Sequence, residues 1–176
     1  MLRQCVRRTV FYRYVFYSTT QQKSINTTFM KLALRHAQAG FRSKEMPVGA
    51  VIADDAGEVI STGHNKCWKL KDKKQHAELI AMRNAVKHFG RDRLVGTTLY
   101  TTLEPNDEIC EQVMEYRIRH VVFGVQDRRF GAVEGNEKIN FTARVLEREC
   151  EELFKNYYST VDISIIDSNG RGFFSS

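Results

Sequence analysis

A chain of 176 residues with a hydrophobic share of 42% is enough for one domain with a real core, and short for two. No apolar run approaches the roughly 18 residues a membrane helix needs, so neither a spanning helix nor a membrane partner is expected. The four cysteines, Cys5, Cys67, Cys110 and Cys150, follow no framework spacing, which argues against a disulfide-built module and fits a reducing compartment.

The formal charge of +6 is local. Arg3, Arg7, Arg8, Arg13 and Lys23 lie in the first 23 residues with no acid among them, and the rest of the chain carries 22 basic against 21 acidic residues. Overall charge is therefore a poor argument for nucleic acid, whereas its placement matters. Residues 1–23 also hold hydroxyl residues and Val10, Phe11, Tyr12, Val15, Phe16 and Tyr17. That is the composition of a mitochondrial transit peptide, so a mitochondrial location is expected. Two other readings stay open: a disordered basic tail, and an aromatic, basic arm that docks on RNA. A single domain is expected over residues 24–166, and a flexible polar tail over 167–176.

Asn26 or Thr27 is placed to cap a first helix through Phe29, Leu32, Ala33, His36 and Ala37, ending near Gly40. Residues 47–52 read as a strand, Asp54-Asp55-Ala56-Gly57 as a hairpin turn, and residues 58–63 as the antiparallel partner. Residues 64–75 read as a loop in which Lys66, Lys69, Lys71, Lys73 and Lys74 surround Trp68, the one tryptophan. Such a loop suits a phosphate backbone with a base stacked on the indole, and equally suits a solvated lysine loop. A second helix is expected over residues 76–89 and a strand over 97–103. A third helix, capped by Asn106 or Asp107, runs to about Tyr116. A buried strand over 121–124, a long helix over 142–158 and a last strand over 161–166 complete an alternating α/β pattern around one sheet.

Two stretches carry chemistry. His76-Ala77-Glu78 has the form H-x-E, in which the histidine binds Zn²⁺ and the glutamate, not a ligand, moves protons for the metal-bound water. The partner of that element is Pro-Cys-x-x-Cys, yet Pro105 is followed by Asn106-Asp107-Glu108-Ile109-Cys110, so Asn106 and Ile109 stand where thiolates are needed. A catalytic zinc needs three protein ligands and an open position. An amide and an alkyl group supply neither the donors nor the negative charge. Asp107 and Cys110 are the candidates to substitute, with Glu108 and Cys67 behind them.

Met46-Pro47-Val48-Gly49-Ala50-Val51, His64-Asn65, His76-Ala77-Glu78, Thr102-Leu103-Glu104-Pro105 and the run from Arg117 to Asp127 together resemble the tRNA-specific adenosine deaminases of the cytidine deaminase-like superfamily. The resemblance spans residues 29–158. It implies a three-layer α/β fold with a central mixed five-stranded sheet flanked by helices, a habit of dimerising, and a pocket for an adenosine flipped from an anticodon loop. It also implies substrate contacts at Asn65 and Asp127, with Arg128 and Arg129 beside the latter. Eleven residues, 106–116, separate Pro105 from Arg117-Ile118, which is the family's spacing, so no insertion rescues the cysteine register. The expectation is a catalytically inactive deaminase-like protein with no cofactor and with Glu78 vestigial. Its role is that of a structural or RNA-contacting subunit of a mitochondrial ribonucleoprotein, such as the mitochondrial ribosome, or of a deaminase heterodimer. The alternative is an active zinc enzyme, converting adenosine to inosine in tRNA or deaminating a cytidine compound, with non-standard ligands.

Overall fold

The computed structural model describes residues 18–72, 74–90 and 94–160. The arm up to Tyr17, Lys73, the expected strand over 161–166 and the tail lie outside the described residues. The elements run α1 (Thr19–Arg42), β1 (Gly49–Asp54), β2 (Val59–His64), α2 (Cys67–Leu70), α3 (Ala77–Phe89), β3 (Thr97–Leu103), α4 (Asp107–Glu115), β4 (His120–Val125), β5 (Phe141–Thr142) and α5 (Glu147–Thr160). The sheet has five strands in the order β2-β1-β3-β4-β5. β1 is antiparallel to both β2 and β3, whereas β4 is parallel to β3 and to β5, so the sheet is mixed as expected.

Alternation along β1 builds the layers. Ala50 and Ile52 face a cluster that includes Met82 and Ala85 of α3, Ile109 and Val113 of α4, and Phe123. Val51 and Ala53 face the opposite cluster, made with Phe29, Met30, Ala33 and Leu34 of α1 and Cys150 of α5. With a side-chain period of two, one strand feeds both cores, and helices cover both faces. Gly63 on β2 lets α3 approach closely, because an added Cβ there would collide with the carbonyl oxygen of Ala77.

Four differences from the sequence reading have local causes. α1 starts at Thr19, inside the stretch assigned to the arm, because Ser18 and Gln21 form a reciprocal capping box. Asn26 is consequently not a cap. It is buried in mid-helix, where its Oδ1 accepts from Gln22 Nε2 at 2.9 Å and from the Tyr100 hydroxyl at 3.3 Å. The loop over 64–75 contains the short helix α2. The last helix begins at Glu147 rather than 142, since Phe141 and Thr142 pair with Val121 and Val122 of β4 and Arg144 and Leu146 take positive φ.

Connectivity decides where chemistry can be placed. β2, β3 and β4 are mutually parallel, so their carboxyl ends share one rim of the sheet, and the amino end of antiparallel β1 lies on the same rim. The starts of α3 and α4, the segment after β4 and the residues preceding β1 therefore converge there.

Two outcomes follow from this packing. Gly63→Ala should destabilise the protein by about 2 kcal/mol in urea titration, since the new methyl forces α3 off the sheet. His120 sits between β4 and β5 with its Nε2 2.8 Å from Thr142 Oγ1, and burial, then the neighbouring Arg119 charge, lowers its pKa below the ordinary 6.5. The unfolded chain thus takes up a proton near pH 6.5 that the folded chain refuses. Tm should fall as pH drops from 7 to 5, and calorimetry should find the fall shallower in His120→Gln.

Candidate functional site

His76 is the N-cap of α3 and is half-buried; its side chain makes no capping bond. The cap is supplied from a distance: the first helical N–H, of Ala77, donates to Oδ1 of buried Asn65 at 2.8 Å. Asn65, expected as a substrate contact, thus holds the helix that carries the H-x-E element. Glu78 is 4% exposed, and its Oε1 accepts from the Thr101 hydroxyl of β3 at 2.7 Å. Its place in the first turn of α3 suits a carboxylate, because the helix dipole is positive there.

At the start of α4 the geometry is that of an ordinary capped helix. Asn106 Oδ1 accepts from the Ile109 N–H at 3.1 Å, and Ile109 is 2% exposed, packed in the core beside Val113. The Cys110 N–H donates to the Asn106 carbonyl at 2.9 Å, a regular helical bond, so the first turn is not rewound. Cys110 is buried, with its Sγ 3.8 Å from the carbonyl oxygen of Pro105. Burial, reinforced by the Asp107, Glu104 and Glu78 carboxylates, pushes its thiol up to about 12. Desolvation, with Glu45 next, raises the half-buried Cys67 thiol to about 11. Asp107 and Glu108 are exposed on the outside of the turn. Among the described residues no group of three His, Cys, Asp or Glu side chains is arranged to hold a metal. A zinc held by one imidazole and two thiolates does not fit these residues: the Asn106 oxygen is engaged with its own helix, Ile109 is hydrocarbon, and the nearby Cys110 sulfur faces the Pro105 carbonyl oxygen.

Two loops flank these helix starts. In the first, Lys66 and Trp68 are half-buried and Lys69, Lys71 and Lys74 are exposed; Lys73 lies outside the described residues. The loop is tied down by Glu45, whose Oε2 and Oε1 accept from the Trp68 and Lys69 N–H groups at 3.0 and 2.7 Å, and by Asp72, which accepts from Lys74 N at 2.8 Å and Gln75 Nε2 at 2.7 Å. In the second loop, Asp127 Oδ1 accepts from the Arg129 and Phe130 N–H groups at 2.9 and 3.2 Å, so this expected substrate contact shapes its own turn. Glu104 accepts from Asp127, Val133 and Glu134 N–H groups, each at 3.1 Å. Arg128, Arg129 and Phe130 are exposed at the tip. An open cleft of about 710 Å³ lies between this loop and the start of α4, lined by Asn106, Asp107, Arg129, Phe130 and Lys138 among others. His76 and Glu78 are not part of its lining.

Sequence reasoning missed Thr101, Phe130, Glu45 and Glu104. The two acids had a faint signal: each is a charged residue directly or nearly adjoining a proline, Glu45 just before β1 and Glu104 just after β3. Buried charge at such a place implies a set of amide donors nearby.

Comparison with known proteins agrees with this architecture. The profile of the cytidine and deoxycytidylate deaminase zinc-binding region matches residues 23–125. The tRNA-specific adenosine deaminase of Haemophilus influenzae is 34% identical over 139 residues, covering 73% of this chain and 80% of that protein. That of Aquifex aeolicus is 34% identical over 148 residues, covering 78% and 97%. A solved transfer-RNA deaminase, studied for A-to-I editing at the wobble position, superposes with a TM-score of 0.68 at 34% identity, covering 72% of this chain and 99% of that one. The guanine deaminase of Nitrosomonas europaea, 19% identical, shares the fold with a TM-score of 0.70, covering 76% and 84%.

The cap assignment is testable. Asn106→Ala should lower the unfolding free energy by about 1 kcal/mol, while Asn106→Asp, an equally good cap, should leave it nearly unchanged in urea titration.

Proposed function

This chain belongs to the cytidine and deoxycytidylate deaminase family, and from that premise we propose that it engages an adenosine of tRNA or rRNA without holding a catalytic zinc of its own. The first turn of α4 carries the proposal: the Asn106 oxygen is bonded to the Ile109 N–H, and Ile109 is core. Without a metal, water keeps a pKa far too high to attack a base at neutral pH. Glu78 is then a buried hydrogen-bonding group at the head of α3, and deamination is not its task.

Support for RNA as the ligand comes from relatives named for tRNA and from the lysine-rich loop and the Arg128-Arg129 tip at one rim of a nearly neutral body. Lys66, Lys69, Lys71 and Lys74 on one side and Arg128 and Arg129 on the other suit phosphates, and Trp68 and Phe130 suit stacking on bases. The partners on this reading are RNA and a protein: a second deaminase chain, or a mitochondrial ribonucleoprotein such as the mitochondrial ribosome. The mitochondrial location rests on the composition of residues 1–23. Among the described residues no helix is long and apolar enough to cross a membrane.

A second reading is an active zinc-dependent tRNA adenosine deaminase with non-standard ligands. The comparisons favour it over the first, because relatives at 32–34% identity carry that activity in their names. The donor chemistry favours the first, because positions 106 and 109 offer no replacement for sulfur. On the second reading, the missing donors have to come from outside this chain or from a rewound α4.

Incubation of the full chain with an adenosine-containing anticodon stem–loop, with and without added zinc, separates the two. The expected result is salt-dependent RNA binding with no ammonia and no inosine. Zinc-dependent inosine would establish the second reading. Failure to bind RNA at any salt would remove both.

A further inference from the structure

Glu45 and Glu104 are 1% and 4% exposed. Among the described residues neither carboxylate takes part in an ion pair. A carboxylate removed from water is tolerated only when its oxygens are bonded. In both residues the bonds come from backbone N–H groups of a single loop: Trp68 and Lys69 for Glu45, and Asp127, Val133 and Glu134 for Glu104. Charge-assisted bonds of this kind are roughly twice as strong as neutral ones.

Position gives these anchors their meaning. Glu45 precedes β1 and Glu104 follows β3, so both sit on the rim where the helix starts converge. Each grips a different loop by its main chain, which leaves Lys69 in one and Arg129 in the other exposed. The second grip is close: at Gly131 an added Cβ would collide with the Glu104 carboxylate. The αL turn at Lys71, with φ of 50°, closes α2 just after the first grip.

We propose that Glu45 and Glu104 are positioning residues that hold the lysine-rich loop and the loop carrying Arg128 and Arg129 in an RNA-ready shape on either side of the helix starts. The inference deepens the RNA reading above and rests on it. A loop already fixed loses less freedom on binding, so affinity gained through preorganisation disappears when the anchor is loosened.

The test replaces one oxygen by an amide of equal size. In Glu45→Gln one of the two N–H groups loses its acceptor and meets an N–H instead. The full-length variant should keep its circular dichroism and the exchange protection of β3 and α3. The Trp68 and Lys69 amides should exchange faster, and affinity for the stem–loop RNA should fall about tenfold. Coupling separates positioning from a general loss of stability. Lys69→Ala alone should weaken binding and reduce the salt slope by about one unit. In the Glu45→Gln background the same change should cost clearly less. Glu104→Gln paired with Arg129→Ala repeats the cycle in the other loop and decides the matter if Glu45→Gln does not fold.

Unchanged exchange at the anchored amides, unchanged RNA affinity, or strictly additive losses would overturn the proposal while leaving the RNA reading intact. A wild-type chain that binds no RNA would instead sink the RNA reading. In that case the exchange data alone decide whether the two acids fix the loops.

Discussion

The bond from the Ile109 N–H to the Asn106 side-chain oxygen is the interaction on which the proposed reading depends. It settles α4 as a self-capped helix whose next apolar residue belongs to the core. A thiolate pair at this point would bring negative charge and two soft donors to the rim of the sheet. An amide and a hydrocarbon bring neither, and the neighbouring Cys110 cannot compensate. It lies one residue further along an unbroken helical turn, it is buried, and its Sγ lies against the Pro105 carbonyl oxygen. The helix start is capped from within its own first turn.

The same rim keeps the features that a nucleic-acid ligand would use. Asn65 seats the head of α3, Thr101 seats Glu78, and the two flanking loops are pinned by buried acids. Here anionic side chains serve the main chain, and the cationic side chains of the same loops are exposed.

Much of this was legible in the sequence because the relevant signals are local. The alternation of Thr97-Thr98-Leu99-Tyr100 gives β3 to the residue, and Asp54-Asp55-Ala56-Gly57 gives the hairpin turn. The His76-Ala77-Glu78 element and the loss of sulfur after Pro105 could be read directly. What could not be read depends on partners far along the chain. α2 has no strong local pattern, and its start is bonded to a carboxylate more than twenty residues away. β5 is two residues long and exists because β4 offers an open edge. The beginning of α1 was hidden differently: the Ser18–Gln21 box lies in a stretch whose arginines and aromatics suggested an arm. The bonds by which Asn65 seats α3 and Asp127 shapes its turn also needed geometry.

The central claim is that this chain by itself retains no zinc at the head of α3. Native mass spectrometry of the full-length protein, purified without chelators and exchanged into a volatile buffer containing a slight excess of Zn²⁺, tests it most directly. The account predicts the zinc-free polypeptide mass in the wild type and in His76→Ala alike. A single tightly held zinc per chain that disappears in His76→Ala would contradict it and restore the catalytic reading.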